Sequence, residues 1–109
     1  MRVAGMGFQS TATTQALRAA LASVEAVDRV ATAAPKAAAL AQALGCDVES
    51  AEVAGISTTT MSQASLDAHG TGSVAEAAAL AVAGRNARLL NTRKIIGGVT
   101  IAVAEGDGR

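Results

Sequence analysis

The chain has 109 residues; its nine basic and nine acidic side chains cancel, half of its residues are hydrophobic, and it carries one cysteine, one phenylalanine and no tryptophan or tyrosine. With no net field and no set of rings for base stacking, nucleic acid and anionic membrane surfaces are poor partners, and a lone Cys46 excludes a disulfide framework and a paired-cysteine metal or redox site. No apolar run approaches the roughly 20 residues of a membrane span, and Met1 to Gly5 is too short and glycine-punctuated for a signal peptide, so a cytoplasmic location is expected.

One domain over residues 1–109 is the expectation. Surface scaling for this mass gives about 5,500 Å² exposed after folding, enough burial for a core with little to spare. Twenty-eight alanines make that core thin and closely packed.

Residues 2 to 6 read as a first strand entering a tight turn at Gly5-Met6-Gly7. Ser10 to Ala26 has helical spacing at Ala16, Leu17, Ala20, Leu21 and Val24. Asp28 to Thr32 reads as a second strand. Pro35 suits the first turn of a helix that carries Leu40 and Leu44 and stops at Gly45, a natural left-handed cap. Cys46 to Val48 reads as a very short third strand, with a short helix near Ser50 to Val53. Ile56 to Asp67 is rich in Ser and Thr and is the least regular stretch. A helix starts after Ser73 and runs to about Ala83. Ile95-Ile96, a Gly97-Gly98 break and Val99 to Val103 close the chain as β-structure. Strands alternating with helices of this length describe an α/β layered domain.

The first strand, glycine turn and helix read either as a tight turn that needs small residues or as an anion-binding turn at a helix N-terminus. The dinucleotide pattern fails, because Ser10 occupies the third glycine position and Asp28 precedes the second strand; no nicotinamide cofactor is expected. His69-Gly70-Thr71-Gly72-Ser73-Val74-Ala75-Glu76 is richer. Ser73 and Glu76 form a capping box. That box needs no glycines, whereas Gly70-Thr71-Gly72 exposes N–H groups and a hydroxyl at the positive end of a helix dipole, where a carboxylate or phosphate is stabilised. Glu76 and His69 are weak candidates for a catalytic base. A Ser62 or Ser65, Asp67, His69 triad lacks a nucleophile elbow. His69 has no Cys or second His beside it, so no metal site is expected. Cys46 reads as a small buried hydrophobe. Lys36, at a helix start, either faces an anionic ligand or is solvated. Arg85 and Arg88 complement a helix end, and Arg93 and Lys94 read as edge or solvent residues.

The run Gly70 to Leu80, GTGSVAEAAAL, closely resembles the signature of the CobE family and of the C-terminal domain of CbiG, proteins of cobalamin biosynthesis. Val3 to Gly7 resembles the family's opening strand and glycine turn, and Ala31-Thr32 with Lys36 its Ala-Thr…Lys segment. Ser62 falls where the family has a Ser, and Lys94 with Gly98 to Val103 resembles its closing segment. Ala38 stands near where the family commonly carries Glu just after the Lys, a departure that removes support for an acid–base role there. The resemblance implies a three-layer α/β/α domain with a small, mostly parallel or mixed sheet. By length the chain looks like the free-standing type associated with the aerobic pathway.

The resemblance also implies a ligand: a corrin or precorrin intermediate, a wide macrocycle rimmed with carboxylates. Gly5, Gly7, Lys36, Ser62, Gly70, Thr71, Gly72 and Ser73 would form the receiving rim, with other cobalamin-biosynthesis enzymes as partners and no cofactor or metal of its own. Each carboxylate at a helix N-terminus contributes only about 0.3–1 kcal/mol, so several must act together with apolar contact to the ring. The leading expectation is an accessory or carrier protein. The alternatives are a CbiG-like lactone hydrolase using Glu76 or His69, and a structural subunit of a biosynthetic complex. The lack of paired carboxylates or an activated nucleophile favours binding.

Overall fold

The computed structural model describes residues 1–24, 26–56, 58 and 73–108, and of residues 91–93 the backbone only. Among these, β1 (Arg2–Gly7), β2 (Arg29–Ala33), β3 (Glu49–Ala51), β4 (Arg88–Ile96) and β5 (Val99–Glu105) form one sheet in the order β3-β2-β1-β5-β4. The strands β1, β2 and β3 run parallel, with Gly5 opposite Ala31 and Thr32 opposite Ser50. β5 lies antiparallel to β1, and β4 antiparallel to β5. The helices are α1 (Thr14–Ala22), α2 (Ala37–Leu44) and α3 (Val74–Ala83).

The alternation of side chains along β1 divides the core. Ala4 and Met6 pack with Leu17 and Ala20 of α1 and Leu40 of α2 on one face. Val3 packs on the other face with Ala77 to Ala79, Val82 and Ala83 of α3. The result is an α/β/α sandwich around a mixed sheet, as expected. Its accessible surface of 5638 Å² agrees with the scaling estimate.

Gly5 lies inside β1, not in a turn, which corrects the loop reading. A Cβ there would stand 1.9 Å from the carbonyl oxygen of Ala75 and 2.6 Å from the amide nitrogen of Ala79. Those residues are four apart and share one face of α3, so the missing side chain lets the helix backbone rest on the strand. Seven of the ten α3 residues are buried, six of them Ala or Val.

Other boundaries moved for identifiable reasons. The first helix begins at Thr14, where Thr13 Oγ1 accepts the Ala16 N–H at 3.0 Å, and ends at Ala22. The third strand is Glu49–Ala51, so the expected strand at Cys46 to Val48 and helix near Ser50 are both corrected: pairing with β2 overrides local preference. Gly45 caps α2 in the left-handed region at φ 70°, as expected. Cys46 beyond it is exposed, not buried, because the chain has left the helix without yet joining the sheet. β4 starts seven residues before Ile95; Arg88 opens it and Lys94 lies within it.

Candidate functional site

Parallel strands joined by crossover helices put their C-terminal ends, and the helix starts that follow, on one sheet edge. The β1–α1 loop from Phe8 to Thr13 and the turn of 3₁₀-helix Ala34–Lys36 after β2 both lie there. The start of α3 joins them. Gly5 faces Ala75 and Ala79, while a Cβ on Gly7 would lie 3.5 Å from Val74 Cβ and 3.6 Å from the Ala75 amide nitrogen. The helix therefore runs antiparallel to β1, and its N-terminus sits over Gly7. The β4–β5 hairpin closes the same edge, with Gly97 and Gly98 at φ 57° and 84°, the pair of positive values that a type I′ hairpin turn requires.

Hydroxyl groups secure the strand ends. Thr32 is fully buried, and its Oγ1 donates to the Met6 carbonyl at 2.8 Å, linking β2 to β1. From β5, Thr100 Oγ1 donates to the Gly7 carbonyl at 3.0 Å. Ser73 caps α3 by accepting the Glu76 N–H on Oγ at 3.3 Å, as the S-x-x-E motif requires. Glu76 is itself fully buried on the first turn.

Lys36 reaches back to the β1–α1 loop. It is half-buried, donates from Nζ to the carbonyl of Phe8, and holds its ammonium 5.0 Å from the centre of the Phe8 ring. An ammonium has three donors, and this contact uses one while fixing the cation on the site edge.

Of the expected rim, the structure brings together Gly7, Lys36 and Ser73. Gly5 lies beneath α3, serving packing. Ser62, Gly70, Thr71 and Gly72, with Ser65, Asp67 and His69, fall outside the described residues. The sequence reading missed Gln9, Thr11 and Thr13, which with Gly97 and Gly98 line a cavity of about 280 Å³ between the β1–α1 loop and the hairpin. The available signal was the Gly-Gly break between β-branched residues, which announces a hairpin and hence its neighbours.

Larger concavities occupy the opposite edge. One of about 630 Å³ is lined by Asp28, Asp47 and Glu49 against a single cation, Arg29, and Arg29 pairs with Glu49 at 3.7 Å. Another of about 470 Å³ carries Arg2 and Lys94. Arg2 pairs with Glu105 at 3.3 Å, and Lys94, on the edge strand β4 as expected, donates from Nζ to the Ser23 carbonyl at 3.0 Å and is thereby anchored at the end of α1. The sign of charge argues against the first cavity for a polyanion, despite its size. Among the described residues no group of three His, Cys, Asp or Glu could hold a metal ion, and no helix is long and apolar enough to cross a membrane.

Fold and edge together define a three-layer α/β domain that gathers its loops and helix starts on one side of a mixed sheet. The family model described as cobalamin synthesis G C-terminus matches residues 2–104, and the chain belongs to that family of cobalamin biosynthesis proteins. The crystal structure of CobE, a protein from the cobalamin (vitamin B12) biosynthetic pathway, is similar with a TM-score of 0.77 and 26% identity, covering 100% of this chain and 92% of that one. Cobalamin biosynthesis protein chiG from Agrobacterium tumefaciens str. C58 is similar with a TM-score of 0.71 and 39% identity, covering 98% of this chain and 99% of that one. A search of curated protein sequences finds no match.

Proposed function

We propose that this protein binds a polycarboxylate corrin intermediate at the C-terminal edge of its sheet and acts as an accessory or carrier in cobalamin biosynthesis. The observation that carries this reading is the convergence on one edge of Gly7, the Lys36 ammonium and the Ser73-capped start of α3. A ligand rimmed with carboxylates is stabilised there by several small contributions at once: N–H groups at the helix starts and one fixed cation. Membership of a cobalamin biosynthesis family supports the ligand class. Ser62 and Gly70 to Gly72, which precede α3 in sequence, complete the proposed rim.

The test is a spectroscopic titration with a metal-free corrin heptacarboxylate. The protein has no Trp or Tyr, so near-ultraviolet and visible changes report on the ligand. A saturable shift is expected, weakened about tenfold in Lys36→Ala by loss of a charge-assisted contact. No shift at high ligand concentration would contradict binding. A slow spectral conversion that disappears in Glu76→Gln would replace the carrier reading with an enzyme.

A further inference from the structure

The groups collected so far address the carboxylates of the proposed ligand and leave its flat apolar ring without a contact. Ile95 is 63% exposed, more than any other large hydrophobic residue among those described. Its neighbours in β4 are held in place: Ile96 packs against the α1/α2 core and Lys94 is bonded to Ser23. The exposure of Ile95 therefore belongs to an ordered part of the strand.

Strand register shows where it points. Ile95 stands opposite Thr100, and Thr100 opposite Gly7. Directly opposed residues project to one face of a sheet, and for Gly7 that is the face of α3, since a Cβ there would meet Val74. The row Ile95–Thr100–Gly7 thus crosses the sheet beside the N-terminus of α3. With strands about 4.8 Å apart, Ile95 stands about 10 Å from Gly7, so one flat macrocycle can reach from the start of α3 beside Gly7 to this side chain.

We propose that Ile95 is the apolar shelf of the site, a specificity-determining residue that contacts the ring face of the macrocycle while its carboxylates engage the helix starts and Lys36. This rests on the corrin-binding reading above. A β-branched side chain suits the role, because it has little rotamer freedom to lose on binding. Leu90, the other exposed apolar residue of β4, lies with Val103 at the far edge and provides an internal control.

The experiment titrates a metal-free corrin heptacarboxylate into wild type, Ile95→Ser, Ile95→Glu and Leu90→Ser at low and high salt, with the sedimentation coefficient of each variant measured in parallel. Ile95→Ser is expected to weaken binding about tenfold, in line with loss of a buried aliphatic contact, by the same factor at both salt concentrations. Ile95→Glu should weaken it further at low salt, where its carboxylate faces those of the ligand. Leu90→Ser should match wild type. Wild-type binding with an unchanged constant in Ile95→Ser would overturn the shelf alone. Wild type that fails to bind would overturn the corrin reading and the shelf with it. Dissociation of an oligomer by Ile95→Ser at unchanged affinity would overturn the shelf in favour of a protein contact.

Discussion

The two edges of the sheet are built by different means. At the N-terminal end of β1, charged side chains pair across strands: Glu105 receives Arg2 at 3.3 Å and Arg88 at 3.4 Å, and the Arg2 N–H donates to Asp28 Oδ2 at 2.9 Å. The Met1 amine and the Gly106 carbonyl, 2.9 Å apart, close the same end. At the C-terminal end the strands are held by buried or half-buried hydroxyls donating to carbonyls and by helix backbone resting on glycine. One edge pairs charged side chains within the protein and carries the acidic cavity beside them. At the other, N–H dipoles gather beside the Lys36 ammonium, the arrangement on which the proposed anion binding rests.

The largest effect separating the two constructions should come from Gly5→Val. The new side chain would have to displace the backbone of α3, and the loss should reach about 3 kcal/mol or more, lowering the melting temperature by about 10 °C or more or preventing folding. A melting temperature within a few degrees of wild type would show that α3 can lift from β1. Thr32→Val should follow at about 1–2 kcal/mol, since the buried Met6 carbonyl loses a donor, and Ser73→Ala at about 1 kcal/mol through its cap; chemical denaturation measures both.

How much of this was legible beforehand depended on whether the signal was local. The Gly45 cap, Pro35 in the turn before α2, and Ser73 with Glu76 are determined by residues within one helical turn, and each stands where the sequence placed it. The first half of β4 was not legible. Arg88 to Lys94 is polar, shows no clean alternation, and forms a strand because β5 pairs with it through two register shifts. Gly5 was misread for a similar reason, as glycines in a turn and glycines beneath a helix look alike until Ala75 and Ala79 are brought over the strand. The helix-start position leaves Lys36 open between an anionic ligand and solvent, because its Phe8 partner comes from a different loop.

Smaller effects should sharpen the contrast. Cys46 is exposed and lines the acidic cavity at the far edge, so a maleimide should label it rapidly in the native protein without changing corrin affinity; protection from labelling by the ligand would place binding at the wrong edge. Glu105→Gln should have the least effect of all, because the carboxylate is solvent-screened. Hydrogen bonding from Arg2, with Arg88 beside it, holds the Glu105 carboxyl below its ordinary value of 4.5. Its contribution is present above about pH 4.5 and is lost as pH falls through the lowered pKa. The pH dependence of the melting temperature should therefore flatten slightly in the variant over that acidic window.

The choice between edges is tested most directly by recording ¹H–¹⁵N correlation spectra during titration with a metal-free corrin heptacarboxylate. The account predicts saturable shifts at the amides of Gly7 to Thr13, Lys36, Val74 to Glu76 and Ile95 to Gly98, with those of Asp28, Asp47 and Glu49 unmoved. Shifts centred on Asp28 to Val30 and Cys46 to Glu49, with Gly7 and Ala75 unmoved, would contradict it and place the ligand in the acidic cavity.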